Sequence, residues 1–225
     1  MCGRFVLTAD LDDWVATLEV DEVLTEPLPP SWNVAPTDPV YAVAEHDGRR
    51  QLGTMGWGLI PHWAKQARSR HINARSETIA TTPAFRESLA RRRCLVPSNG
   101  FYEWADTERG RIPHHVALEA EPMVFAGVWS GWTDPATGQR VRTVAIVTAE
   151  ARPDLAVLHD RMPVWLAPDL WGDWLDRATT DPASVLPLLE WASPGTVVVR
   201  PVGDAVGNVR NNRPELLTDR EDMPT

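Results

Sequence analysis

Short apolar segments of strand length, separated by polar and turn-like residues, run through most of the chain. Five of them follow one another in the middle of the sequence: RCLVPS, GFYEWAD, IPHHVAL, PMVFAGVWSGW and RTVAIVTAE. Two earlier segments, PVYAVAE and RQLGTMGWGLI, flank Asp47-Gly48 and predict a hairpin. RMPVWL and TVVVRPV predict two later strands. Because strands follow one another in runs, the pattern predicts an α+β fold with a mostly antiparallel sheet or open barrel and flanking helices.

Helical spacing of apolar residues is confined to short segments. A first helix, capped by Thr8, is predicted from the spacing of Leu11, Trp14, Val15 and Leu18. A second is predicted from Pro83 to the arginine triplet at 91–93. RPDLAVLH, APDLWGDWLD and PASVLPLLEW predict three further short helices, whereas SWNVAPT and PHWAKQARSRHINARSET are typical of loops.

The length of 225 residues fits one large domain or two small ones. Because no internal repeat or clear linker is visible, we expect a single domain over residues 1–217. The last residues, 218–225, are charged and predict a disordered tail. Only two cysteines occur, and no run of about 18 apolar residues is present. We therefore expect a cytoplasmic protein that does not bind membranes.

The formal net charge of −9 is unevenly distributed. Residues 49–112 contain twelve Lys and Arg against five Asp and Glu, so the middle of the chain is basic. A basic region in an acidic protein can bind a phosphate backbone locally, or it can be a solvated surface. Charge alone leaves both interpretations open.

The second residue is the first candidate for chemistry. A cysteine that becomes N-terminal after removal of Met1 carries two nucleophiles, its thiol and its α-amine. Six segments mix polar residues into apolar or Gly- and Pro-containing surroundings: MCGRF, SWNVAPT, WGLIPHWAK, INARSET, CLVPSNGFYEW and LHDRMPVWL. The polar residues in these segments are the candidate functional residues.

Each of these polar residues also has a structural interpretation. Asn33 can close a turn before the following proline, and His159 can end a helix. Asn73 and Arg75 lie two residues apart, so in an extended chain both point to one side and can cap a strand. Glu103 lies in an aromatic strand, where a carboxylate needs a partner or a catalytic role. Taken singly, these residues do not decide between structure and function.

Taken together and in order, the motifs MCGRF, NVAPT, WGLIPHWAK, INARSET, RCLVPSNGFYEW and HDRMP resemble the SRAP family, the SOS response-associated peptidases. The resemblance runs from Cys2 to about Pro163 and continues in NVRNNRPEL. It implies an SRAP-like fold and a protein of the DNA damage (SOS) response. Such a protein removes its own Met1 and forms a covalent thiazolidine crosslink to abasic sites in single-stranded DNA. We expect a monomer without cofactor or metal.

The resemblance also implies roles for individual residues. The implied catalytic residues are Cys2, Glu103, His159 and Asn73. The implied DNA-binding residues are the phosphate contacts Arg4, Arg75 and Arg161, the loop residue Asn33, and Pro36 and Trp63, which would stack on or wedge beside a base. Arg86 is added from the basic segment. With eleven tryptophans in the chain, core packing of Trp63 is the alternative.

One different class of enzyme begins in the same way. N-terminal-nucleophile hydrolases such as glutamine amidotransferases also open with Met-Cys-Gly, and Asn99-Gly100 resembles their oxyanion pair. That class does not account for INARSET or HDRMP. Metal binding is not expected either, because the two cysteines and the scattered histidines lack the spacing of metal ligands.

Overall fold

The computed structural model describes residues 2–68, 70–108, 110–190 and 194–220. The strands are β1 (Phe5–Leu7), β2 (Glu22–Val23), β3 (Ser31–Val34), β4 (Pro39–His46), β5 (Arg49–Trp57), β6 (Asn73–Arg75), β7 (Arg93–Ser98), β8 (Gly100–Thr107), β9 (Gly110–Leu118), β10 (Met123–Thr133), β11 (Arg140–Glu150), β12 (Arg161–Pro163) and β13 (Val197–Pro201). The helices are α1 (Leu11–Thr17), α2 (Arg86–Arg91), α3 (Trp171–Leu175), α4 (Pro182–Val185) and α5 (Pro187–Glu190). Short 3₁₀ turns cover Pro168–Leu170, Asp204–Gly207 and Pro214–Leu217. The predicted α+β class with mostly antiparallel strands is confirmed.

The larger sheet closes into a five-stranded barrel. Antiparallel pairs run in the order β11-β10-β7-β4-β5, and a parallel pair between β5 and β11 completes the ring. In that pair Thr143 lies opposite Gly56 and Val144 opposite Trp57. The run of strands in the sequence predicted a mostly antiparallel sheet or an open barrel. The parallel contact that closes the barrel joins strands distant in sequence, and no local pattern indicates it.

The smaller sheet has the order β13-β9-β8-β1-β3 and contains the start of the chain. β1 pairs with β8 on one side and with β3 on the other. The prediction of a loop at SWNVAPT was therefore wrong for Ser31–Val34, which forms β3. Its strand pairing comes from a partner near the start of the chain, and local turn residues do not report such a partner.

Phe5 of β1 joins the two sheets in one core. Its ring contacts Trp57 with centroids 5.1 Å apart and Phe125 with centroids 5.9 Å apart, both edge to face. On the opposite face of the small sheet, Val6 and Tyr102 pack with apolar residues of the C-terminal segment: Val202, Val206 and Leu216. Alternate residues of β1 thus face two different cores, and the residues before β1 are fixed in place.

Several element boundaries differ from the prediction. The hairpin turn is at Asp47-Gly48 as predicted, with φ of 53° and 73°. Thr8 does not cap α1, which starts at Leu11 after Asp10; the amides of Thr8 and Ala9 instead donate to Oδ1 of Asn99. The helix expected at RPDLAVLH forms consecutive turns.

Arg93 accounts for a further difference, at the end of the second predicted helix. α2 covers only Arg86–Arg91, and Arg93 starts β7 with its side chain 4% exposed. Its guanidinium donates to carbonyl oxygens at the ends of α2 and α3, among them those of Leu89 (2.7 Å) and Trp174 (2.5 Å). Burial lowers the pKa of this arginine. One cation of the basic middle region is thus structural and unavailable to a ligand.

The last described residues, Asp219 and Arg220, are attached to the small sheet. Asp219 forms an isolated bridge with Val202, and the amide of Arg220 donates to the carbonyl of Pro201 at 2.9 Å. Residues 221–225 lie outside the described residues, so the tail expected over 218–225 stays a prediction. Within the part of the chain that the structure describes, the helices are too short or too polar to cross a membrane.

Candidate active site

Asn73 connects Cys2 to the barrel. The amide Nδ2 of Asn73 donates to the carbonyl oxygen of Cys2 at 2.9 Å. Asn73 begins β6, which pairs in parallel with β11 and places Asn73 opposite Ile146. The other amide atom, Oδ1, is buried and has no hydrogen-bond partner among the described residues. The start of the chain is thus held by a side chain of the opposite sheet.

Glu103 lies beside Cys2 because of the register between β1 and β8. Phe5 pairs with Phe101, and the amide of Tyr102 donates to the carbonyl of Arg4 at 2.9 Å. Carried back by one more residue, this register puts Gly3 opposite Glu103. The Glu103 carboxylate is 4% exposed, and its Oε1 accepts from the amide of Trp104 at 3.2 Å.

The Cys2 thiol is completely buried in this environment. Burial raises its pKa far above the usual range, and the negative charge of Glu103 raises it further. The thiol therefore stays protonated at neutral pH, and it is a weak nucleophile until its surroundings change. Three predicted catalytic residues, Cys2, Asn73 and Glu103, are thus brought together.

His159 lies two residues before β12, whose first residue, Arg161, pairs with Glu150 at the end of β11. Its Nδ1 is 2.9 Å from the amide nitrogen of Arg161 and 2.7 Å from Oδ1 of Asp160. Nδ1 accepts from the amide when it carries no hydrogen and donates to the carboxylate when it carries one, so the two hydrogen bonds exclude each other. The described contacts of His159 do not reach Cys2 or Glu103.

Arg161 is engaged within the protein. Its guanidinium forms a two-pronged ion pair with Glu77, at 2.5 Å and 2.9 Å, and also donates to the carbonyl of Thr148 at 2.8 Å. The paired guanidinium lowers the pKa of Glu77. Arg75, the last residue of β6, is exposed. Of these two arginines, only Arg75 presents its charge to solvent.

Arg4 and Asn33 both bind the C-terminal segment. Nη1 of Arg4 donates to Oδ1 of Asn33 at 2.8 Å and to the carbonyl of Val206 at 2.8 Å, and Nη2 donates to the carbonyl of Gly207 at 3.2 Å. The amide of Asn33 donates to the carbonyl of Asn211 at 2.9 Å. Two residues predicted to bind DNA thus have structural partners.

The remaining predicted residues lie in other segments. Trp63 is 58% exposed and therefore not a core residue; it lies in the segment between β5 and β6. Arg86 is exposed at the start of α2. The next residue, Glu87, has its Oε2 3.4 Å from Nδ1 of His62. Pro36 is half-buried in the turn between β3 and β4. Their part in DNA binding stays a prediction.

Sequence reasoning missed Glu77, Thr148 and the C-terminal segment as partners of the site. Glu77 is the sixth residue of INARSET, so the motif contained a signal for it. Thr148 is an ordinary strand residue, and no sequence signal marks it. The interaction between Arg4 and the C-terminal segment spans about 200 residues, which only the folded chain reveals.

Two alternative sites find no support in the geometry. Asn99, the candidate oxyanion residue, accepts the amides of Thr8 and Ala9 at 2.8 Å and 3.2 Å and so stabilises the turn between β1 and α1. In the described ranges no group of three or more His, Cys, Asp or Glu side chains is placed to hold a metal ion.

The family model for SRAP, SOS response associated peptidase, matches residues 1–209. The chain belongs to this family. Abasic site processing protein YoqW of Bacillus subtilis is 35% identical over 222 residues, covering 96% of this chain and 99% of YoqW. Abasic site processing protein YedK of Escherichia coli is 30% identical over 227 residues, covering 96% of this chain and 99% of YedK.

A solved structure agrees with the SRAP assignment at the level of the fold. A crystal structure of a protein from Bacteroides thetaiotaomicron superimposes with a TM-score of 0.84, covering 97% of this chain and all of that chain at 22% identity. The predicted SRAP-like fold is therefore confirmed.

Proposed function

We propose that this SRAP chain processes abasic sites in single-stranded DNA by forming a covalent bond through Cys2. The observation that carries the proposal is the position of Cys2, held by Asn73 and placed beside the buried carboxylate of Glu103. The names of the relatives YoqW and YedK, both abasic site processing proteins, support the substrate class.

The chemistry begins with loss of Met1, which frees the α-amine of Cys2. The open form of an abasic deoxyribose carries an aldehyde, and the amine attacks it to give an imine with release of one water. The Cys2 sulfur then adds to the imine carbon, its proton moves to the nitrogen, and a thiazolidine ring results. Because an α-amine titrates near pH 8, a useful fraction is neutral at pH 7. The ring closure is intramolecular and therefore favoured.

We assign the following roles to the side chains of the candidate site. Glu103 is placed to take the proton from the attacking amine and to return it to the departing water. Asn73 holds the Cys2 carbonyl, which fixes the direction of the amine. The role of His159 comes from the resemblance to the SRAP family, in which the matching histidine lies near the sugar and donates a proton or a hydrogen bond.

The order of the two nucleophilic steps has a physical reason. Burial and the charge of Glu103 keep the thiol protonated in the chain that still carries Met1. The freed amine is thus the first nucleophile, and the thiol reacts only once the electrophilic imine carbon lies next to it. This order protects the sulfur from unrelated electrophiles before DNA binds.

The test is intact-mass analysis of the purified protein before and after mixing with a single-stranded oligonucleotide that contains one abasic site. The free protein should lack one methionine, and the product should gain the oligonucleotide mass minus one water. Cys2→Ala and Cys2→Ser should form only an imine, which is lost unless borohydride traps it, and Glu103→Gln should react more slowly. Retention of Met1 by the folded protein, or a stable adduct on Cys2→Ala without borohydride, would refute the proposal.

Two controls sharpen the result. Cys94→Ala removes the other buried thiol, which lies in the core against Gly127, and should leave adduct formation intact. Incubation with glutamine tests the amidotransferase alternative and should yield no glutamate. Release of glutamate together with an absence of adduct would favour that alternative.

A further inference from the structure

The loop between the last two 3₁₀ turns, residues 208–213, is held in place by side chains from the start of the chain. We call it the C-terminal loop. Asn33 donates to the carbonyls of Asn208 at 3.1 Å and Asn211 at 2.9 Å. Oδ1 of Asn212 accepts the amide of Trp32 at 2.7 Å. Arg4 fixes the turn that enters the loop, through the carbonyl of Gly207.

Arg4 and Asn33, which we call the clamp on this loop, carry groups whose burial costs free energy. Asn33 is 2% exposed, and burial lowers the pKa of Arg4. The loop adds its own hydrogen bonds: the Asn211 side chain donates to the carbonyl of Ala205 at 2.8 Å, and the amide of Arg210 donates to Oδ1 of Asn208 at 3.1 Å. The backbone of a surface loop is thus fixed in one conformation before any ligand binds.

The fixed loop presents an apolar and a cationic side chain to solvent. Val209 is 54% exposed, and Arg210 next to it is also exposed. Arg213 is exposed but lies 3.9 Å from the carboxylate of Glu215. Among the described residues, no acidic side chain forms an ion pair with Arg210. Arg210 is therefore the cation of the loop whose charge is available to an anion.

The connection between the loop and Cys2 indicates which ligand this surface contacts. A strand whose damaged sugar lies at Cys2 leaves the site in two directions. One neighbour of Cys2 is Asn73, which donates to its carbonyl, and Arg75 lies two residues further along β6. The other neighbour is Arg4, two residues after Cys2. Arg4 contacts the turn that leads into the C-terminal loop. The loop is thus a candidate to contact the part of the DNA strand that lies away from β6.

We propose that the C-terminal loop forms a second wall of the DNA site, where Arg210 contacts a phosphate next to the damaged nucleotide and Val209 contacts a neighbouring sugar or base. This inference rests on the proposed function, because it assigns a further contact to the same DNA. A fixed loop loses little conformational freedom on binding, which is the benefit of the buried clamp. A cation that contacts one phosphate adds a sequence-independent and salt-dependent contribution to affinity.

The experiment measures non-covalent binding to a single-stranded oligonucleotide that carries a tetrahydrofuran abasic analogue, by fluorescence anisotropy at several salt concentrations. Arg210→Gln should weaken binding roughly fivefold at low salt. It should also reduce the slope of log affinity against log salt by about 0.7, the value for one contact to a single strand. Val209→Ser should weaken binding without changing that slope.

The matched control is Arg177→Gln, which removes an exposed arginine beside Arg91 and Glu45 and should bind like wild type. Thermal unfolding of every variant checks that the fold is kept. If wild type forms the mass adduct but Arg210→Gln keeps the wild-type salt slope, this inference is wrong and the proposed function stands. If wild type neither binds the analogue nor forms the adduct, both are wrong.

Discussion

A hydrogen bond of 2.9 Å joins the side-chain amide of Asn73, which lies on the larger sheet, to the carbonyl of Cys2, which lies just before the first strand of the smaller sheet. β6, which carries Asn73, pairs with β11, a strand of the closed barrel. Cys2 precedes β1 of the small sheet. The proposed nucleophile is therefore positioned by the packing of the two sheets against each other.

We predict that Asn73→Ala slows adduct formation about tenfold while the midpoint of thermal unfolding changes little. The variant loses one hydrogen bond of about 1 kcal/mol, and that loss lets Cys2 move relative to Glu103. The measurement is the initial rate of adduct formation with abasic DNA. The control is Gln51→Ala on β5, which removes a side-chain amide that donates to the carboxylate of Glu22 at 2.9 Å. It should react at the wild-type rate. Equal rates for all three proteins would contradict the prediction.

A second prediction concerns the ion pair between Glu77 and Arg161. Since the guanidinium lowers the pKa of Glu77 in the folded chain, the pair contributes stability above the unfolded pKa of about 4.5 and loses it as the pH falls through the folded value. Glu77→Gln should lower the unfolding midpoint at pH 7 by about 2 °C, because half-exposed pairs contribute little. The difference from wild type should shrink toward pH 3.

The control for that prediction is Glu26→Gln, at an exposed carboxylate. Its difference from wild type should be small and should not depend on pH. If the Glu77→Gln difference persisted unchanged at pH 3, the ion pair would not be its cause.

Local patterns predicted the elements that depend on nearby residues. The hairpin at Asp47-Gly48 and the run of strands from β7 to β11 follow from turn residues and strand-length apolar segments, and both are present. β3 and the parallel β5–β11 pair depend on partners far away in sequence, and the local pattern did not reveal them. The same holds for the contact between Asn33 and Asn211.

The candidate site was predictable for a similar reason. Cys2, Asn73 and Glu103 lie in short motifs whose resemblance to a family could be recognised, and the structure brings these three residues together. The backbone partners of Arg4 and Arg161, the carbonyls of Val206 and Thr148, could not be predicted, because carbonyl groups of the backbone accept hydrogen bonds at any residue type.

A third prediction concerns His115, which is 4% exposed on β9 between Tyr102 of β8 and Arg200 of β13. Burial, together with the charge of Arg200, lowers its pKa to about 4. Between pH 4 and about 6.5 the unfolded chain therefore binds more protons at this residue, and the free energy of unfolding falls as the pH falls. Across that range the loss amounts to about 3 kcal/mol at most.

Denaturant unfolding from pH 4 to 7 tests this prediction. His115→Phe should flatten the dependence of the unfolding free energy on pH, because the ring keeps its volume but no longer titrates. The exposed His46, the last residue of β4, provides the comparison variant His46→Gln, measured over the same range. An unchanged slope in His115→Phe would mean that other groups cause the acid sensitivity.

The last prediction concerns Gly100, which starts the strand that carries Glu103. Its φ of +130° is one that other residues rarely adopt, and an added Cβ would lie 2.4 Å from Nε2 of His115 and 2.7 Å from the carbonyl oxygen of Val116. Gly100→Ala should therefore destabilise the fold by more than about 3 kcal/mol. Gly48→Ala is the matched control: φ is +73° there, the space around it is open, and the expected cost is about 1 kcal/mol. Urea unfolding gives both values, and similar costs for the two variants would mean that backbone strain, rather than the contact with His115, requires glycine at position 100.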